Sequence, residues 1–227
     1  MSAVRHARRS GNRRPEAPAK PADVSTATLQ ALLLPGALAL VLALLSLTPR
    51  VQQDAILTGS FRGASLVLLA WTGVLFWQLS RTTPRAQRLI EVVLRKQHYI
   101  QAAVQFSVYA YWGYYWRPVY EHALLIVGQL AFAYAIDMLL TWTRREKYVL
   151  GFGAFPIVFS TNLFLWFKDD WFYLQFLMIA VGILGKEFVR WQRDGKSTHI
   201  FNPSAFTLGL FSLVLIATGT TDLTWGQ

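Results

Sequence analysis

Long apolar runs alternate with short polar, charged connections, and the runs fall at about residues 29 to 48, 61 to 80, 98 to 116, 122 to 142, 148 to 167, 170 to 190 and 203 to 219. A helix needs about 20 mostly apolar residues to cross about 30 Å of hydrocarbon. The pattern therefore predicts an all-α fold, a polytopic transmembrane helix bundle of about seven spans. The third run is the most polar, with Gln101 and Gln105. It ends in Tyr109, Tyr111, Trp112, Tyr114, Tyr115 and Trp116, as expected of an aromatic belt at a membrane interface. Residues 84–97 have a helix-compatible pattern that puts Leu89, Val92, Val93 and Lys96 close to one face, which predicts a helix lying along the membrane surface.

The charges in the connections orient the bundle. Arg81, Arg85, Arg88, Arg95 and Lys96 follow the second run, Arg144, Arg145 and Lys147 the fourth, and Lys186, Arg190, Arg193 and Lys196 the sixth. The alternate connections are mixed: Arg50 with Asp54, Arg117 with Glu121, and Lys168 with Asp169 and Asp170. The positive-inside rule places the cationic connections and the N-terminus in the cytoplasm, and the C-terminal end on the opposite face. Residues 1–28 carry Arg5, Arg8, Arg9, Arg13, Arg14 and Lys20 with little apolar surface, so they read as a disordered basic cytoplasmic arm. The run after it is longer than a signal-peptide core and ends in Leu47-Thr48-Pro49-Arg50, a poor cleavage site, which reads as an anchor.

Composition agrees with lipid as the solvent. The 227 residues are 54% hydrophobic and 15% aromatic, with a mean hydropathy of +0.33. The formal charge of +10 sits between apolar runs, which argues for a lipid bilayer as the partner and against nucleic acid. The lack of cysteine excludes disulfides and thiolate metal sites within the chain, and no metal site is expected. The sequence carries no phosphate-binding Gly-rich loop, no zinc-protease helix and no convincing nucleophile triad. His98, His122 and His199 lie at run edges, where they do not form a bis-histidine haem site. Trp71, Trp77, Trp112, Trp116, Trp166 and Trp171 mostly mark run ends, as the interfacial preference of indole explains.

Polar residues inside or beside apolar runs are the candidates for chemistry. Asn202-Pro203-Ser204 opens the last run, and such a helix start presents free N–H groups that favour an anion, with His199, Lys196 and Arg193 close in sequence. Two readings of this stretch stand side by side, a phosphate contact and simple capping. Asp137 is the clearest ionisable residue in an apolar run, readable as an ion pair with a neighbour such as Arg144 or as part of an ion or proton path. Asn162, Gln105 and Gln129 read as helix-packing amides, with Asn162 also a candidate for a polar path. Lys186-Glu187 reads as a solvated local charge pair, and Gly151, Gly153 and Pro156 as a site of close packing or kinking.

From about Leu94 to Gly226 the chain resembles a bacterial family of membrane electron-transport proteins: the D-type membrane components of Rnf complexes and their counterparts in the sodium-translocating NADH:quinone reductase. The resemblance is carried by Arg95-Lys96-Gln97-His98-Tyr99-Ile100-Gln101 and by Lys196-Ser197-Thr198-His199-Ile200-Phe201-Asn202-Pro203-Ser204. It implies a helical subunit of the bacterial inner membrane that holds flavin and takes part in electron transfer, sometimes coupled to ion movement. Residues 29–93 then form two N-terminal helices with a cytoplasmic surface segment, and residues 94–227 a five-helix domain like that of the redox subunits. In the family, FMN is carried on the threonine of a Ser-Gly-Ala-Thr motif. The corresponding stretch here, Thr218-Gly219-Thr220-Thr221-Asp222, departs from that order, which makes Thr220 and Thr221 the candidates and leaves covalent attachment without its usual sequence. The family continues with further helices, so the expectation is a divergent or truncated relative. The alternatives are a structural or accessory subunit that has lost the flavin site and, less favoured, a small transporter using Asp137 and Asn162.

Overall fold

The computed structural model describes residues 24–81, 88–193 and 196–220. They are mostly helical: α1 (Val24–Leu45), α2 (Pro49–Gln52), α3 (Ala55–Arg81), α4 (Lys96–Tyr115), α5 (Arg117–Glu121), α6 (Ala123–Arg144), α7 (Ala154–Phe164), α8 (Phe172–Phe188) and α9 (Pro203–Ala217). Each of the seven apolar runs coincides with one helix of eleven residues or more.

Two of these, α3 and α6, are both long and apolar enough to cross a membrane. Their 27 and 22 residues correspond to about 40 and 33 Å at 1.5 Å per residue. Residues 31–45 of α1, together with α7 and α9, are shorter apolar helices. The 11 residues of α7 reach only about 17 Å.

Helix α6 is the hub. Its buried positions run from Leu125 to Trp142 on nearly every side, as expected of a helix enclosed by others. Helices α1 and α3 pack on one flank of it, where the Ser65 hydroxyl donates to the Ala39 carbonyl at 2.7 Å and a small side chain lets two backbones approach. On another flank Phe176 of α8 stands edge-on to Phe61 of α3 and Phe132 of α6, with ring centroids 5.4 and 5.3 Å apart. Helix α4 docks on α7, with Tyr109 Oη donating to the Phe159 carbonyl at 2.8 Å and Gln105 Nε2 donating to Ser160 Oγ at 2.7 Å. Helix α9 lies against α8 and α7.

The expected surface helix over 84–97 is overturned where the chain is described. Leu89–Val92 forms a strand, β1, paired in parallel with β2 (Lys147–Leu150), Leu89 opposite Lys147 and Val92 opposite Leu150. The apolar and β-branched run Leu89-Ile90-Glu91-Val92-Val93 suits an extended chain, and the backbone of Lys147–Leu150 offers it ladder partners. Glu91 Oε2 and Lys147 Nζ, 2.5 Å apart, close the pair across the ladder. This strand also takes the first residues of the fifth apolar run, which is why α7 begins at Ala154 and not near residue 148. A second, antiparallel pair joins β3 (Arg190–Arg193) to β4 (Lys196–His199).

Candidate functional site

The last helix shows how its candidate residues are used. Asn202 is the N-cap of α9, and its Oδ1 accepts from the Ser204 backbone N–H at 3.1 Å and from Ser204 Oγ at 2.8 Å. Pro203 occupies the first helical position, where its missing N–H costs nothing. Beyond this start the helix is pressed onto α8. Ser204 and Thr207 are buried, Thr207 Oγ1 donates to the Met178 carbonyl at 2.9 Å, and the Phe206 ring lies where a Cβ on Gly185 would meet it at 2.5 Å. Only a glycine permits that approach. His199 takes its place as a backbone member of β4, opposite Arg190.

The other end of α9 is a helix terminus of the Schellman type. Gly219 has φ of 68°, the Thr220 N–H donates to the Leu215 carbonyl at 2.9 Å, and the Gly219 N–H donates to the Ile216 carbonyl at 3.1 Å. The Thr218 and Thr220 hydroxyls are 2.8 Å apart. Thr221 lies outside the described residues. The 15 residues of α9 hold Asn202 and Thr220 more than about 20 Å apart. The candidate flavin residues are therefore not brought to one place. As arranged here they do not fit an FMN shared between Asn202 and Thr220: one set caps a helix start and the other a helix end.

Asp137 is ion-paired, but with a different partner from the one the sequence suggested. Lys186 Nζ of α8 lies 2.6 Å from Asp137 Oδ2, and the phenol of Tyr148 on β2 donates to the same oxygen at 3.3 Å. The next residue of α8 serves a second cluster. Glu187, 5% exposed, receives Arg144 Nη1 at 3.3 Å, Arg145 through a short contact, and Arg190 Nη1 at 3.8 Å. The expectation of a local Lys186-Glu187 pair is thus overturned. Consecutive helical residues point away from each other; Lys186 finds Asp137 on α6, and Glu187 finds Arg144 and Arg145 at its end, more than 40 residues away in the chain, besides the nearby Arg190.

Asn162 joins Gln129 in a reciprocal amide pair, Nδ2 to Oε1 at 2.6 Å and Nε2 to Oδ1 at 3.2 Å, with both residues fully buried. Asp137 is held by Lys186 and Tyr148 and Asn162 by Gln129, so the two candidates for an ion path are engaged by different partners. The amide pair and the contacts of Glu187 with Arg144 and Arg145 were not identifiable from local sequence, because those partners lie 33, 43 and 42 residues away; Arg190 is the one described partner close to Glu187 in the chain. Gln175 was also missed: it is fully buried on α8 and neither amide atom has a hydrogen-bond partner. No group of three or more potential metal ligands occurs among the described residues.

Two cavities lie near the mixed-charge connections. An apolar groove of about 820 Å³ runs between α4, α6 and α7, past Tyr109, Tyr114, Ile126, Leu130 and Phe159 to Arg117. A polar cleft of about 720 Å³ is framed by Arg50, Asp54, Arg117, Glu121, His122 and Asp170. Arg117 borders both, and the Arg50 guanidinium sits 4.3 Å over the ring of Tyr120, which lines the groove.

Comparison with protein-family models, with curated proteins and with solved structures returns no match to this chain.

Proposed function

We propose that the chain is a multi-pass component of an electron-transport assembly in the bacterial inner membrane, of the Rnf D-like kind, with its N-terminus in the cytoplasm. One observation carries the membrane part of this reading. Large apolar side chains stay exposed along the helices, among them Leu33 and Leu44 of α1, Leu66 and Val67 of α3, Val104 and Phe106 of α4, and Leu213 and Ile216 of α9. A soluble surface of this kind would aggregate, whereas hydrocarbon solvates it without cost. The count of about seven spans rests on the seven apolar runs of the sequence; of the described helices, α3 and α6 have the length and apolarity to cross a membrane, and residues 31–45 of α1, together with α7 and α9, are shorter apolar helices. The redox part rests on the resemblance of residues 94 to 226.

Within such an assembly the geometry favours the structural or accessory role over the flavin-carrying one. Asn202 and Thr220 are both engaged in ending a helix, and ion pairs tie α6 and its end to α8 through Asp137–Lys186 and Arg144–Glu187. The purified protein is expected to carry no FMN, to give no fluorescent band on a denaturing gel, and to co-purify with other membrane subunits. Stoichiometric flavin would overturn the accessory role and restore the flavin-carrying one.

A further inference from the structure

The apolar groove and the polar cleft meet at Arg117 and at the Arg50–Tyr120 contact, so together they form one amphipathic site. We infer that this composite site binds a phospholipid with a zwitterionic, primary-amine headgroup, one acyl chain lying in the groove and the headgroup in the cleft. The inference rests on the membrane reading above.

The charges select the headgroup. Arg50, Gln53 and Asp54 come from the α1–α3 connection, Arg117, Glu121 and His122 from α5 and its end, and Asp170 from the connection before α8. These are the three connections that are not strongly cationic, so the cleft faces the side away from the cytoplasm. It offers two guanidinium groups and three carboxylates. A phosphodiester suits Arg50 and Arg117, and a nearby ammonium suits Asp54, Glu121 and Asp170. A purely anionic headgroup would satisfy the arginines and leave the carboxylates opposed by like charge. A quaternary ammonium has no N–H to donate to them.

Polar groups inside the cleft leave room for this arrangement. The Arg117–Glu121 pair, 2.9 Å apart, is an exposed i,i+4 contact with the side chains 84% and 51% accessible, and such a pair opens at little cost. Asp54 Oδ1 accepts from the Leu57 N–H at 2.8 Å, which leaves its other oxygen for an ammonium. Each cavity lies within the range of about 300–1,000 Å³ typical of small-molecule sites.

Native mass spectrometry of the intact chain, released from detergent after titration with phosphatidylethanolamine, phosphatidylglycerol or phosphatidylcholine of identical acyl chains, tests the site. Phosphatidylethanolamine should be retained roughly tenfold better than either rival, the scale of one charge-assisted contact. Arg50→Gln with Arg117→Gln should lower the retention of all three lipids, which share the phosphodiester, and Asp170→Asn should shift the preference toward phosphatidylglycerol. Equal retention of the three lipids, or retention indifferent to these substitutions, would overturn the site while leaving the membrane reading intact. Release of the chain from membranes by alkaline carbonate would overturn the membrane reading and the site with it.

Discussion

Among the described residues Gln175 is the one with both side-chain polar atoms buried and unpaired. Its amide is buried without a hydrogen-bond partner, at a cost on the order of 1–3 kcal/mol. Gln175→Leu is therefore expected to stabilise the chain by about 1 kcal/mol, read as a higher unfolding temperature in detergent; a clear loss of stability would mean the amide has a partner that the isolated chain lacks. Asn202 is the opposite case, since its carbonyl oxygen is fully used. Asn202→Ala should cost about 1 kcal/mol through the lost cap, and Asn202→Asp should restore the lost stability; failure of the aspartate to do so would argue that the amide N–H groups matter. The cap was legible because Asn-Pro-Ser is a local signal before an apolar run. The Gln129–Asn162 pair was not, because the two residues lie 33 apart in the chain and meet only when α6 and α7 pack.

At the scale of elements, periodicity located the helices well and misread the connections. Leu89–Val92 carries an apolar pattern compatible with a helix, yet it becomes β1 because Lys147–Leu150 offers it a parallel partner, information that no local window contains. The Val93 N–H donates to the Leu150 carbonyl at 2.9 Å, so Val93→Pro should destabilise the chain by about 1–3 kcal/mol, read as a lower unfolding temperature. The charged staple between α6 and α8 also belongs to this scale. Asp137→Asn leaves Lys186 unopposed in a mostly buried setting and should cost about 3 kcal/mol or more. The double change Asp137→Asn with Lys186→Met should recover much of that loss, and a thermal-unfolding double-mutant cycle measures the difference. Strictly additive losses would show that the two groups do not act as a pair. Sequence identified Asp137 as exceptional and an ion pair as its preferred state, but chose Arg144 by proximity; the helix instead turns Asp137 toward α8, and Arg144 toward Glu187.

For the whole molecule, the helix hub, the exposed apolar residues and the segregation of cations between alternate connections describe one arrangement of charge relative to lipid. The apolar helices were visible in the sequence because burial in protein and burial in lipid select the same residue types. For that reason hydrophobicity alone did not separate α6, enclosed by its neighbours, from α9, whose outer face is open. The absence of cysteine from all 227 residues makes single-cysteine labelling in intact spheroplasts the most direct measurement. A membrane-impermeant maleimide should reach Gln53→Cys and Lys168→Cys from outside, and should reach Glu146→Cys and Gln192→Cys only after permeabilisation. Labelling of all four from outside, or of Gln53→Cys and Glu146→Cys from the same side, would contradict a bundle that crosses the bilayer with its cationic connections facing the cytoplasm.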